Sequence, residues 1–421
     1  MTRLSTRPCW RWLPVLLMLC ACGPSRMDPE PSAQALVQHP SFGSNPGGLT
    51  MYTYTPSAVP AQAGLVVALH GCTQTAQAFT GTGWNELADL WKFHVIYPQA
   101  SGGTGCFRWW EPLHTRRGSG EALSIKQMVD RMLALHDIDA QRIFVVGLSA
   151  GGAMAASMLA AYPDVFAAGG VIAGLPHGCA SSILDTATCT TGGKHLSAQG
   201  WGDLVHSAFA GYGGSYPRVS LWHGGSDYTV SPTNQDELLA QWTDVHGIDA
   251  VADASATVSG AQHKQYRGQS GDTLVETWRI PNMGHGTPID PGFQPAGGCG
   301  TTGAFTLDAN ICSTFYLGQF FGLDPLGQQP VPQPPPPDDP APDDPPPEPD
   351  PPPAPPVPTT CTETLASNYH HEQAGRAVRC GAYNFYTCAK GSGETMGLWN
   401  TFYQTWLRQT ATGHYEIGRC P

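Results

Sequence analysis

Gly147-Leu148-Ser149-Ala150-Gly151 sets a serine between glycines, and no other stretch of this sequence points so directly to chemistry. A serine hydroxyl attacks a carbonyl when a base removes its proton, and that base needs a third group to fix its tautomer. Ser149 follows the apolar run Ile143-Phe144-Val145-Val146 and opens an Ala- and Met-rich stretch that stops at Pro163. That order reads as a strand, a tight turn and a helix, which exposes the hydroxyl at the carboxyl end of a sheet. In such a scaffold the acid and then the histidine follow the serine, each in a loop after a later strand. Asp227 follows the apolar run 219–222, and His285 sits in Pro281-Asn282-Met283-Gly284-His285-Gly286 after the run 274–280. The competitors fit less well. Asp236 and Asp244 fall in a helix-like stretch, and His263 precedes its strand. His223 comes before the acid and reads as a structural histidine. Ser149, Asp227 and His285 are therefore expected to act as nucleophile, orienting acid and base.

An attacked carbonyl also needs donors for its developing oxyanion. One is expected to be the backbone N–H of Ala150, at the start of the helix. The other is the amide of Cys72, in His70-Gly71-Cys72 after the run 65–69. The Cys72 side chain has a disulfide as its own use, with Cys106 one candidate partner, and this is favoured over a reactive thiol.

Residues so distant along the chain need a sheet to bring them together. The runs 65–69, 93–97 (ended by Pro98) and 143–146 are continuously apolar, as in strands buried on both faces. Residues 125–135 carry apolar side chains at helical spacing. The alternation predicts an α/β fold of the α/β-hydrolase type, a mostly parallel sheet flanked by helices, over residues 35–326.

The remainder of the chain divides by composition. Residues 1–22 read as an export signal: Arg3, Arg7 and Arg11 precede a short apolar core. Leu19-Cys20-Ala21-Cys22 resembles a lipobox, which would place a lipid on Cys22 and anchor the chain at the outer membrane; the alternative is cleavage without a lipid. Residues 327–358 form a Pro-rich spacer bearing six carboxylates and no Lys or Arg. Proline and like charge keep it extended, over on the order of 90 Å at ~3.1 Å per residue. Residues 359–421 form a small unit with four Cys. Six further Cys lie between the signal and residue 313, so disulfides are expected to close separately on each side of the spacer. Only 13% of residues are charged, the formal net charge is -12, and no basic run occurs, which argues against nucleic acid as partner. No Cys-x-x-Cys or His-Glu-x-x-His spacing appears, so neither a metal nor another cofactor is expected. The expected state is an exported monomer acting on an ester.

Leu69-His70-Gly71-Cys72-Thr73-Gln74-Thr75, Cys106-Phe107-Arg108-Trp109-Trp110, Gly120-Glu121-Ala122-Leu123-Ser124-Ile125 and the segment around Ser149 together resemble the poly(3-hydroxybutyrate) depolymerase family of esterases. The likeness covers nearly all of residues 40–325. It implies cleavage of short-chain hydroxyalkanoate polyester by a Ser-His-Asp triad on the positions above, with an oxyanion amide at Cys72. It also implies an aromatic wall near the site, for which Trp109 and Trp110 are candidates; core packing is their other reading. Residues 366–377 are similar to a module appended to secreted depolymerases, which implies help in holding polymer. Trp399, Phe402, Tyr403 and Trp406 would offer it an apolar face or form the unit's own core. A carbohydrate esterase releasing feruloyl or acetyl groups is the main alternative, because one fold serves both. A surface binding protein is the alternative outside enzymes.

Overall fold

The computed structural model describes residues 35–102, 105–293, 298–324, 362–380, 386–398, 404–411 and 413–420. The continuous apolar runs become the middle of a ten-stranded sheet. Its strands are β1 (Val37–His39), β2 (Thr50–Tyr54), β3 (Ala63–Leu69), β4 (His94–Gln99), β5 (Ile138–Leu148), β6 (Ala168–Ile172), β7 (Arg218–Gly224), β8 (Ala254–Val258), β9 (Ala261–Arg267) and β10 (Thr273–Ile280). The spatial order is β1-β2-β4-β3-β5-β6-β7-β10-β9-β8. Neighbours from β4 to β10 are parallel, while β1, β2, β8 and β9 add antiparallel edges.

Side chains of the middle strands alternate between two covered faces, which is why their sequences read as unbroken apolar runs. Leu65, Val67 and Val145 pack toward the helices Gly120–Leu135, Ala150–Ala161 and Thr233–His246, through Met128, Met158 and Trp242. Val66, Phe144 and Val146 pack the other way, toward the helices Trp84–Trp91 and Ser313–Phe321, through Trp84 and Phe321. Each such large side chain taken fully from water contributes about 1.5–3 kcal/mol. The helix Ala150–Ala161 is buried at all 12 positions, so its Ala and Gly content reflects close packing on every side.

One local expectation needs correction. The strand expected to end before Pro98 runs on to Gln99. Pairing of β4 with β3 ends at Ile96, so the missing proline N–H deprives no partner on that side. His263 precedes β10 as expected and lies in the neighbouring strand β9, opposite Trp278, with its Nε2 2.8 Å from Glu276.

Disulfides join Cys72 to Cys106, Cys179 to Cys189 and Cys299 to Cys312. Among residues 362–420, one three-stranded antiparallel sheet comprises Thr362–Ser367, Gln404–Ala411 and His414–Ile417. A second comprises Ala377–Cys380, Tyr386–Ala389 and Thr395–Leu398. Their buried apolar residues include Ala377, Ala389, Met396 and Leu407, and Cys388 and Cys420 are disulfide-bonded. The leader with Cys22, the spacer 327–358, and Trp399, Phe402 and Tyr403 lie outside the described residues. Among the described residues no helix is long and apolar enough to cross a membrane.

Candidate active site

Ser149 leaves β5 with φ 58° and ψ −119°, a conformation that costs a non-glycine residue about 1–3 kcal/mol. The surrounding packing holds it there. Its N–H donates to the Ile172 carbonyl at the end of β6 (2.9 Å), and its carbonyl accepts from Ala153 N–H (2.9 Å). Gly151 is required by proximity, because a Cβ there would collide with the carbonyls of Leu69 and His70 at the end of β3. The turn therefore wedges the helix start against the strand that leads to Cys72. Ala150, the first residue of that helix, has an N–H without an intrahelical acceptor.

Asp227 and His285 come from loops after the adjacent parallel strands β7 and β10. The loops are bound to each other: Gly225 N–H donates to Ile280 O (2.7 Å) and Ser226 N–H to Met283 O (2.9 Å). A side chain at Gly224 would strike the carbonyls of Met283 and Gly284. Asp227 Oδ2 accepts from His285 Nδ1 at 2.7 Å, and Oδ1 accepts from the amides of Thr229 (2.8 Å) and Val230 (2.9 Å). Burial works against ionisation of this carboxyl, yet hydrogen bonds from His223 and His285 hold its pKa well below the usual carboxylate range. An ionised Asp227 fixes the proton on Nδ1 of His285 and leaves Nε2 free to accept one. His223, read as structural, stands in this cluster with its Nε2 2.9 Å from Val230 O and 3.4 Å from Asp227 Oδ2. It steadies the acid's loop.

The loop after β3 is held by groups that the sequence pattern did not single out. His70 is fully buried, which holds its pKa below the ordinary histidine value against the opposing hydrogen bond to Gly71. Its Nε2 accepts from Ala100 N–H (3.1 Å), so Nδ1 carries the proton and donates to Gly71 O (2.7 Å). That carbonyl belongs to the same peptide group as Cys72 N–H. Gln74, also buried, accepts from Gly71 N–H (2.9 Å) and donates to Ala304 O (3.1 Å). The Cys72 side chain is committed to its bond with Cys106, as the disulfide reading expected.

Cys72, Thr73, Ser149, Thr229, His285 and Phe305 line one cavity of about 110 Å³. The Phe305 ring stands edge-on to the His285 ring with centroids 6.0 Å apart. Trp109 and Trp110 do not line this cavity; they meet edge to face and pack in a cluster with Ala150, Ala153 and Cys72. Sequence reasoning missed Phe305, which follows no periodic run, and missed the roles of His70 and Gln74, whose partners lie far along the chain. A hydroxyl, an oriented imidazole and nearby amides in one cavity suit acyl transfer.

Residues 49–264 match the family described as Esterase PHB depolymerase. The chain is 52% identical over 295 residues to poly(3-hydroxyalkanoate) depolymerase C of Paucimonas lemoignei, covering 69% of this chain and 71% of that protein. It is 37% identical over 270 residues to an acetylxylan esterase of Coprinopsis cinerea, covering 62% and 71%. An acetyl xylan esterase structure from Aspergillus awamori superposes with a TM-score of 0.56 at 29% identity, over 60% of this chain and 94% of that one.

Proposed function

This chain belongs to the Esterase PHB depolymerase family and is a carboxylic ester hydrolase, and we propose that it cleaves short-chain polyhydroxyalkanoate such as poly-3-hydroxybutyrate through a Ser149 acyl-enzyme. In this reading Ser149 Oγ attacks the ester carbonyl while His285 Nε2 takes its proton. The amides of Cys72 and Ala150 receive the oxyanion. His285 then protonates the departing alkoxide, and water repeats the sequence on the acyl-enzyme. Asp227 keeps the imidazole oriented and stabilises its charged form. The observation that carries the proposal is the Asp227–His285 bond of 2.7 Å opening onto the cavity that Ser149 also lines. His70 positions the Cys72 amide: a donor on the carbonyl of a peptide group polarises its N–H and fixes its plane.

Polyester is favoured over carbohydrate ester by the higher identity to the depolymerase. The carbohydrate reading keeps support from the acetylxylan esterase likeness. Clearing of a poly-3-hydroxybutyrate suspension, measured beside release of acetate and ferulate from sugar esters, tests the choice. Faster turnover of the sugar esters would reverse it. Export is part of the proposal, supported by the signal-like residues 1–22 and by disulfides that suit an oxidising compartment. Lipid on Cys22 would appear as fatty-acid labelling lost in Cys22→Ser. Residues 359–421 are proposed as a polymer-holding unit, with the spacer giving it reach.

A further inference from the structure

Beside the cavity of Ser149 and His285 lies a larger groove of about 470 Å³. The two share Thr73 and Phe305 as lining residues, so they adjoin. One wall is the segment 73–81 leading away from Cys72; the other is the loop 301–306. Gln74 ties the walls together through its bond to Ala304 O. Its lining includes the uncharged polar residues Thr73, Thr75, Gln77, Thr80, Thr301 and Thr302. Among the described residues no Lys, Arg, His, Asp or Glu lines it.

Resting on the polyester reading, we propose that this groove holds the alcohol-side continuation of the polyester chain, and that it takes internal chain without reading a free carboxylate end. Three observations carry this. The cavity of about 110 Å³ is smaller than the ~300–1,000 Å³ of sites that enclose a drug-sized ligand, whereas the groove falls in that range. The cavity therefore suits one short acyl unit, and the rest of a chain must lie elsewhere. Phe305, the shared wall, flanks His285, and His285 is the group that must hand its proton to the departing alkoxide. The alcohol fragment thus leaves along the flank where the groove lies. Lastly, a polyester interior offers only hydrogen-bond acceptors, which hydroxyl and amide donors satisfy without charge.

The direction of the chain gives the second half of the proposal. In a polyester of hydroxy acids, the alcohol side of every ester bond runs toward the carboxyl terminus. A site built for that terminus would place a cation against it. The groove has none among its described lining residues, so the enzyme has no means here of counting from that end. Attack forms the Ser149 acyl bond and breaks the ester C–O bond. The fragment in the groove departs as an alcohol carrying the proton from His285.

Two measurements on the full chain test this. The first compares kcat/KM for a 3-hydroxybutyrate tetramer as free acid and as methyl ester. The expected result is near equality. A preference of about tenfold or more for the free acid, the worth of one charge-assisted hydrogen bond, would overturn the proposal. The second uses Ala78→Trp, which fills the groove from an exposed position of its wall. The expected result is a drop of about tenfold in the ratio of kcat/KM for the tetramer to that for p-nitrophenyl 3-hydroxybutyrate, the size of an overpacking penalty. Turnover of the p-nitrophenyl ester by the same variant reports folding. An unchanged ratio sinks the groove, as does an equal drop for a p-nitrophenyl ester extended on its acyl side. If the wild type cleaves sugar esters but no 3-hydroxybutyrate oligomer, the polyester reading itself has failed.

Discussion

Residues 35–324 and residues 362–420 both use aromatic side chains and disulfides, but they treat burial differently. In the first region Trp84, Trp201, Trp222 and Trp242 are each less than 2% exposed, beneath helices on both faces of the sheet. In the second, Trp406 is half-buried and lies under the Arg419 guanidinium, 4.5 Å from its ring centroid. The first region also buries carboxylates with dedicated donors: Asp227, Glu121 and Glu276. Among the described residues of the second, no carboxylate is buried. Catalysis by fixed dipoles needs polar groups held out of water in set geometry, and among the described residues the larger region holds carboxylates in that way.

If that contrast is right, losses should be greatest where buried geometry is broken. Ser149→Ala is expected to lower kcat on the order of 10⁶-fold in a soluble ester assay, leaving the residue of rate that binding alone supplies. Near-normal turnover would move the chemistry elsewhere. Asp227→Asn, which keeps the shape but favours the wrong imidazole tautomer, is expected to cost about 10⁴-fold.

Glu121 tests burial through pH. Its carboxyl is fully buried and its pKa is pushed up to about 7 by desolvation, against the opposing pull of Arg108. Arg108 N–H donates to its Oε2 at 2.7 Å. Because the folded pKa exceeds the unfolded one, the stability linked to this group is present at pH below the unfolded value and is lost as pH rises through about 7. Thermal melts should fall across that window by up to about 3 kcal/mol, and Glu121→Gln should flatten the fall. A variant with an unaltered slope would remove Glu121 from the account.

His70→Ala should reduce kcat by about 10- to 100-fold with little change in KM, somewhat less than losing an oxyanion donor outright. His70→Asn, whose side-chain N–H can replace the Nδ1 donor, should recover part of the loss; equal damage in kcat and KM would indicate a merely structural role. The smallest expected effect is that of ending the chain at residue 326. Hydrolysis of a soluble ester should stay within about twofold, since no residue of 362–420 lines the cavity of Ser149 and His285. A large loss would erase the contrast between the regions.

Much of this arrangement was legible because it is local. A strand, a tight turn and a helix around Ser149 are written in consecutive residues, and so are the loops that carry Asp227 and His285. The edges of the sheet were harder to read. β9 exposes alternate polar residues such as Gln262 and Lys264, so its strand character lies in its pairing with β10 and not in an apolar run. The work of Gln74 depends on Ala304, 230 positions away, and nothing in either neighbourhood announces the other. Trp109 and Trp110 read equally as a wall of the site or as core; their packing beside the helix start is a matter of orientation, which spacing does not encode.

The bond from Cys72 to Cys106 has a consequence beyond geometry. It cross-links the loop that lines the cavity of Ser149 and His285, and such a link does not persist among the reduced thiols of a cytosol. A copy held among reduced thiols would lack the clamp on that loop. The clamp on that loop is therefore set by the redox state of its surroundings as well as by the fold.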